Sequence, residues 1–515
     1  MNKPFIELKS AVKNYTLDQD KVITPEETLN KAYDVLARCH LDIFKEFVPI
    51  NILDIPLYFA KGGVDYVNTV HAEHSSGKGF THKQAQASGL MELIERFSAF
   101  SYKYELLHTY SEIKDKVPDF KRFFPLLTHM PDEAKIITEL ADIPLHWSYA
   151  YNLTKQQNTL IPQIYQDIVW SNGLAAGNTI EEAILQGICE IIERHVVSNI
   201  ELNKIETPTI TPDSIQNPMA IELINKFKDT NMEIILKDFT LEMEIPTIGA
   251  IGYYKAGEKL VDDYEWRMIV AGTHTDPLKA LLRALTELVQ ALKSFLHLKK
   301  DKQEKLLKFV DEGIIKSGIL TKKAISYIEN SSQQTNFDEI KNYAKHDIKD
   351  EIEMCVNILA QKGIEILVVD MTHSELHIPV VRVAGLNSLL NAPETNISIY
   401  FLQGVCYQRI GQFDKAIEAF IKAQKKEPDF YQAYNSLGVC YYNIYKQNEN
   451  IEYLDLAIEN FKRSIDLLPT RAIDFFNLAS MLFNKGNREE AKTFFNKALK
   501  LDQNYKFTKL YQKFI

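Results

Sequence analysis

The chain has 515 residues, 45% of them hydrophobic and 25% charged, and carries a formal net charge of −10. That length exceeds one ordinary core and implies two to four domains. No run of 18 apolar residues is present, which argues against a transmembrane helix, and the acidic balance argues against a nucleic-acid partner, because phosphate neutralisation needs clustered Lys and Arg. The N-terminal segment MNKPFIELKSAVKNY lacks the apolar stretch of a secretory signal, so a cytoplasmic location is expected. Cysteines at 39, 189, 355, 406 and 440 share no zinc-type spacing and are odd in number; they read as reduced, mostly buried small residues. A metal reading of His71, His74 and His82 is weak, since no HExxH or cysteine cluster accompanies them.

In chain order, the first helix is expected over 24–40, with Thr24 as N-cap and Glu27 completing a capping box. SSGKGF (75–80) precedes a second helix over 84–100. Its GKG imitates a P-loop, but Gly79 follows Lys78 where Ser or Thr is required, so any nucleotide site here is of another kind. The loop SNGLAAGNTIEEA (171–183) enters a third helix over 180–199. Gly173 and Gly177 supply unusual backbone angles and close approach, and Asn178 or Thr179 caps a helix N-terminus suited to anions. The stretch 206–220 is turn-rich and reads as a separator of subdomains. A fourth helix is expected over 277–296, followed by LKKDKQEKLLK (298–308), a basic stretch broken by acids that reads as a solvated helix face. Strands are expected over 364–371 and 379–384, and the Gly, Pro and Asn of 385–396 suit a linker.

The last 120 residues repeat themselves. Tyr400, Gly404, Tyr407, Ala416 and Phe420 correspond to Tyr434, Gly438, Tyr441, Ala457 and Phe461, and again to Phe475, Ala479, Leu482, Ala491 and Phe495; the first copy adds Ala423 and Pro428, the second Leu437 and Pro469, the third Leu478 and Ala498. Small residues let paired helices approach and aromatics fill the gaps between them, as in the 34-residue tetratricopeptide pattern. The second copy carries about seven extra residues around Lys446–Tyr453, placed in the turn between its helices, and the tail YKFTKLYQKFI reads as a capping helix.

Three helices carry polar residues where a buried helix should not. Ser88, Glu92 and Glu95 form one stripe, as do Glu182, Gln186, Glu190 and Glu193, and then Arg283, Glu287 and Gln290. The flanking residues are apolar or small, so the stripes are expected to line a cavity. Clustered carboxylates repel one another unless cations neutralise them, and Mg²⁺ pairs carboxylates with phosphate oxygens. The bland alternative is that each stripe is the solvated face of an amphipathic helix.

GKGFTHKQAQASGLMELIER, SNGLAAGNTIEEAILQGICEIIER and DPLKALLRALTELVQ, with KVITPEETL before them and MTHSELHIPVVRVAGLN after them, resemble the signature blocks of the YcaO family. The likeness runs from about residue 15 to residue 387. It implies an α/β (α+β) YcaO-type nucleotide-binding domain over 1–387, a linker over 388–396 and an all-α tetratricopeptide domain over 397–515, with three repeats and a cap. It also implies ATP and Mg²⁺ as cofactors. Carried over position by position, it makes Glu92, Glu95, Glu190, Glu193 and Glu287 metal ligands. Lys21, Thr28, Ser88, Asn178, Glu182, Arg194, Arg283 and Gln290 become nucleotide or phosphate contacts, with Arg194 and Arg283 catalytic.

The implied chemistry is addition of a nucleophile to a backbone amide of a peptide or protein, with the amide oxygen phosphorylated and expelled. A side-chain nucleophile gives an azoline and sulfide gives a thioamide. Peptide cyclodehydratases of the family end in a Pro-rich catalytic tail, whereas this chain ends Lys-Phe-Ile, and no leader-recognition domain is apparent. A sulfur-donating or leader-binding partner protein is therefore expected, and the repeats resemble the stand-alone branch linked to ribosomal-protein modification, a resemblance that implies a homodimer. The alternative function is a non-catalytic nucleotide-binding scaffold that docks a partner through its repeats.

Overall fold

The computed structural model describes residues 6–70, 72–104, 106–125, 131–254, 266–296, 319–322, 325–389, 398–469 and 471–501. Its internal contacts divide the chain into two units: Met1–Lys103, Tyr149–Ile161 and Val169–Thr395 in the first, and Tyr104–Ser148, Pro162–Ile168 and Asn396–Ile515 in the second. The basic stretch 298–308, most of the linker at 388–396, the C-terminal capping segment and His71 lie outside the described residues.

The first unit is mixed α/β. Its first helix, α1 (Pro25–Arg38), starts as its sequence requires: Thr24 accepts from the Glu27 amide, and the Glu27 carboxylate returns to the Thr24 amide at 2.8 Å. An antiparallel sheet follows, in the order Phe44–Ile52, Ile55–Gly62, His74–Lys78. Helix α2 (His82–Ser101) buries Leu90, Leu93, Ile94 and Phe97 against it. Gly77 makes this contact close, since a methyl group there would overlap the Ala85 carbonyl oxygen and the Gly89 amide nitrogen on α2.

Helix α3 (Ile180–Asn203) is capped by Thr179 and ends at Lys204 in the left-handed region. It packs against a second sheet region, in which the end of Leu145–Asn152, Glu365–Asp370, Val380–Leu386 and Leu174–Ala176 run antiparallel in that order. The third sheet runs Ile319–Thr321, Trp266–Thr273, Thr247–Tyr254, Met232–Asp238, Thr209–Ile210, Gln334–Thr335 among the described residues, antiparallel except for its last pair. Helices α4 (Pro218–Lys228) and α5 (Pro277–Leu296) pack on it. Leu281, Leu285, Leu288 and Leu292 of α5 are fully buried, at about 1.5–3 kcal/mol each. Helix α6 (Ile348–Gln361) lies against α3. Within the turn-rich stretch 206–220, Thr209–Ile210 forms a short strand that pairs with Lys237 and with Gln334–Thr335, so the stretch joins the third sheet and lies within one unit.

In the second unit six helices form the repeats: α7 (Ile399–Arg409), α8 (Phe413–Lys426), α9 (Tyr431–Asn448), α10 (Ile451–Leu467), α11 (Ala472–Asn484) and α12 (Arg488–Leu501). The extra residues of the second repeat do not form a long turn. They lengthen α9 and α10 to 18 and 17 residues, with only Glu449 and Asn450 between them, because Tyr441, Ile444 and Tyr445 extend the apolar face. Asp474 is fully buried and binds Asn435 at 2.7 Å and Ser464 at 2.9 Å, so one carboxylate ties α9, α10 and α11 together. Residues 104–148 and 162–168, which the sequence division assigns to the nucleotide domain, group here with the repeats. The Pro131–Ala141 helix meets α7, with Gln403 donating to Glu139 at 2.9 Å and Arg409 forking onto Asp167 at 2.5 and 3.1 Å.

Candidate functional site

Each residue of the three polar stripes, together with Lys21, Thr28, Asn178 and Arg194, lies on the wall of one cleft of about 350 Å³ within the first unit. The reason is the opposite face of each helix. Leu90, Leu93 and Ile94 of α2, Ile184, Ile188, Ile191 and Ile192 of α3, and Leu281, Leu285 and Leu288 of α5 are buried, which leaves each helix one polar face to turn inward. The solvated-face alternative does not hold for α3, whose Glu182 and Glu193 are 2% and 7% exposed; the stripes of α2 and α5 are partly buried in the cleft wall.

The loop 171–178 frames the cleft. Gly173 has φ +75°, and its amide donates to Glu190 Oε2 at 3.1 Å. Gly177 adopts no positive φ; it serves close approach, since a Cβ there would lie 2.6 Å from the Ala183 amide. The Asn178 amide and side chain both donate to Glu182 Oε2, at 2.8 and 3.1 Å, and the side chain also donates to Thr28 Oγ1 at 3.0 Å. The Val22 amide donates to Glu182 Oε1 at 2.6 Å, and Lys21 Nζ stands 3.8 Å from Oε2. Glu182 thus fastens the N-terminal strap, residues 6–24 ahead of α1, to the start of α3.

The remaining glutamates stand beside cations. Arg96 lies 2.5 Å from Glu92, Arg194 lies 3.8 and 3.9 Å from Glu190 and Glu193, and Lys78 pairs with Glu287. Glu193 Oε2 also accepts from the Thr273 amide at 3.1 Å, and Arg283 donates to Gln186 at 2.6 Å. Among the described residues no three carboxylates, imidazoles or thiols form a ready metal cage, and these basic side chains stand against the carboxylates instead. Burial, with the neighbouring Glu92 and Glu190 charges, raises the Glu95 carboxyl well above its ordinary range. Burial and nearby Glu193 raise that of Glu190 despite Arg194. Burial and the Arg283 charge bring the Lys78 ammonium down to about 7.

This wall fits a magnesium–polyphosphate group. Its acidic donors are all carboxylate oxygens, which hard divalent cations prefer, and two of them are held toward the protonated form that a bound cation would reverse. Two basic wall residues, Lys78 and Arg96, lie outside the candidates expected from the sequence. Lys78 belongs to the GKG that is not a P-loop, and Arg96 carries a local signal, since Glu92-x-x-Glu95-Arg96 repeats the pattern of Glu190-x-x-Glu193-Arg194. Asp370 and Thr372, at the start of the last family-like block, do not line the cleft: the Thr372 amide donates to Asp370 at 2.9 Å, and the Thr372 hydroxyl accepts from the Val380 amide at 3.2 Å, which shapes the hairpin beside Leu174–Ala176. The His74 ring lies against Phe59 at a 57° tilt and His82 bonds the Tyr58 hydroxyl at 3.0 Å, and among the described residues neither belongs to a metal-ligating cluster. The five cysteines are free, four of them buried.

A family model described as YcaO cyclodehydratase, ATP- and Mg²⁺-binding, matches residues 76–384, and a tetratricopeptide-repeat model matches 397–430 and 475–505. A protein of Methanothermobacter thermautotrophicus with no described function is 26% identical over 385 residues, covering 70% of this chain and 93% of its own. The Escherichia coli ribosomal protein S12 methylthiotransferase accessory factor YcaO is 32% identical over 136 residues, or 26% of this chain and 22% of that one. Among solved structures, YcaO from Methanopyrus kandleri bound with AMPPCP and Mg²⁺ is similar at TM-score 0.56 and 21% identity, over 73% of this chain and 94% of that one. A heterocyclase in complex with substrate and cofactor is similar at TM-score 0.59 and 24% identity; the match covers 75% of this chain but only 54% of that protein.

Proposed function

Because the chain belongs to the YcaO family of ATP- and Mg²⁺-binding cyclodehydratases, we propose that it spends ATP to activate a backbone amide of a peptide or protein. The observation that carries this reading is the convergence of three glutamate-bearing helices with Arg194 and Arg283 in one cleft. When bound, MgATP supplies the phosphoryl group that turns an amide oxygen into a leaving group.

In this reading Glu92, Glu95, Glu190, Glu193 and Glu287 hold the cations. Arg194 and Arg283 orient phosphate oxygens and stabilise the charge that builds on them. Lys21, Thr28 and Asn178, joined through Glu182, face the nucleoside, while Ser88 and Gln290 complete the polar wall. Lys78, brought down to about 7, is able to exchange a proton near neutral pH at its Nζ.

The finer reading is an azoline, thioamide or related product made in the cytoplasm, with a ribosomal protein among the substrates and a sulfur-donating or leader-binding partner protein. It rests on the name of the E. coli relative and on the repeats. Calorimetry should show ATP binding that vanishes in EDTA, and Glu190→Gln with Glu193→Gln should lower ATP turnover by about 100-fold or more in a folded chain. Tight metal-free binding, or wild-type turnover in that variant, sinks the site. Mass spectrometry of treated ribosomal proteins then separates loss of water from exchange of oxygen for sulfur.

A further inference from the structure

Beside the cleft, and not on its wall, the first unit buries a set of charged side chains. Lys13, Asp20, Lys279 and Glu351 are 7%, 7%, 6% and 0% exposed. Lys13 Nζ donates to Asp20 Oδ2 and to Glu351 Oε1, both at 2.6 Å. Lys279 on α5 pairs with Asp20 Oδ1, and Asp276 stands 3.6 Å from the same ammonium. Glu351 Oε1 also accepts from Thr275 Oγ1 at 3.0 Å and from the Lys345 amide at 2.7 Å. His274 Nδ1 accepts from the Asp276 amide at 3.0 Å, which directs the ring's Nε2–H toward Asp20, 3.9 Å away. Two ammonium groups thus face two central carboxylates.

Stability does not explain this arrangement. Desolvating four charges costs several kcal/mol each, and replacing a buried ion pair with packed apolar side chains is often neutral or stabilising. Among the described residues Glu351 Oε2 accepts no hydrogen bond, a further cost that an apolar core would not carry. What the three directional contacts within the quartet provide is registry. Asp20 precedes Lys21 in a tight hairpin, where the Lys21 amide donates to the Tyr15 carbonyl at 2.9 Å and Asp18, Gln19 and Lys21 line the cleft. Lys279 lies one helical turn before Arg283, which lines the cleft's other wall. Glu351 belongs to α6, whose N-cap Asp347 accepts from the Ala11 amide at 2.8 Å. The strap, α5 and α6 therefore meet at this one cluster.

We propose that Lys13, Asp20, Lys279 and Glu351 are positioning residues that lock the N-terminal strap onto α5, fixing Lys21 relative to Arg283 so that a nucleotide is gripped from both sides. This rests on the reading of Lys21 and Arg283 as nucleotide contacts. The quartet touches no ligand itself; it acts through Lys21.

The test replaces the whole quartet in the full-length chain with apolar residues of similar size, Lys13→Met, Asp20→Leu, Lys279→Met and Glu351→Leu, so that no charge is left buried and unpaired. The expected result is an undiminished melting temperature with MgATP affinity weakened about tenfold or more by calorimetry. A stable variant with wild-type affinity overturns the proposal. If the quadruple variant does not fold, a double-mutant cycle decides. Lys279→Met should weaken MgATP binding in the wild-type background and add nothing once Lys21→Ala is present, whereas additive effects overturn the proposal. A wild-type chain without MgATP affinity, or a Lys21→Ala change without effect, overturns the nucleotide-site assignment together with this one. Normal binding in the wild type with no coupling overturns the positioning role only.

Discussion

Glu95 and Glu190 sit where ionisation is costly, Glu95 because burial comes with the charges of Glu92 and Glu190, and Glu190 because burial outweighs the help of Arg194. The direction fixes a pH dependence. A carboxyl raised above its unfolded value stabilises the fold fully below the ordinary glutamate range, and that contribution is lost as pH rises through the folded value. In EDTA, therefore, the melting temperature of the wild type should fall as pH rises above the ordinary glutamate range, more steeply than that of Glu95→Gln with Glu190→Gln. The variant should melt higher than the wild type at the upper end of that rise. Magnesium with ATP should reverse the order there, because bound cations stabilise the charged form that the variant lacks. Parallel wild-type and variant profiles in EDTA would show that these carboxyls are not under strain.

Among elements, the contact of the His74–Lys78 strand with α2 sets the height of one cleft wall, since Ser76 and Lys78 line the cleft on one side of Gly77 and Ser88 and Glu92 line it from the helix. Gly77→Ala must displace backbone atoms, the Ala85 carbonyl and the Gly89 amide, and no flexible side chain is available to yield instead. A loss of about 1–3 kcal/mol in urea unfolding is expected, together with weaker MgATP binding, because the strand is pushed off α2. Unchanged unfolding would mean that the strand can shift at no cost. The repeat helices show another element-scale effect. Extra residues lengthened α9 and α10 because the sequence there continued the apolar face, and helical packing outweighed the shorter turn-forming alternative.

For the whole molecule, the grouping of residues 104–148 and 162–168 with the repeats alters what a truncation should do. Every cleft residue belongs to the first unit, so deletion of 396–515 should leave MgATP affinity within about twofold of wild type. The same deletion removes the partners of Glu139 and Asp167 and bares the Pro131–Ala141 helix, so protease cleavage should concentrate in 104–148 and hydrophobic-dye binding should rise. Lost MgATP affinity would show that the cleft depends on the repeats. Light scattering of both chains tests the homodimer expectation: a mass that halves on truncation assigns the interface to the repeats.

Much of this protein was legible in its sequence because the signals are local. A capping box, a 3.6-residue polar stripe and a recurring small–aromatic pattern are each complete within a few tens of residues, so α1, the cleft-facing sides of α2, α3 and α5, and the repeat helices could be read directly. Arg96 also stood in the local pattern and was legible in principle, as the partner of Arg194. What tertiary structure decided is how distant segments meet. Asp20 finds Lys279 across 259 residues and Lys13 finds Glu351 across 338, and no periodicity reports such pairings. The same holds for Lys78 beside Glu287 and for Thr209, a turn-like residue made into a strand by Lys237 and Gln334. Sequence fixes which faces are apolar and which are charged; the burial of each charge, and the partner that makes its burial tolerable, exist only once the chain has folded.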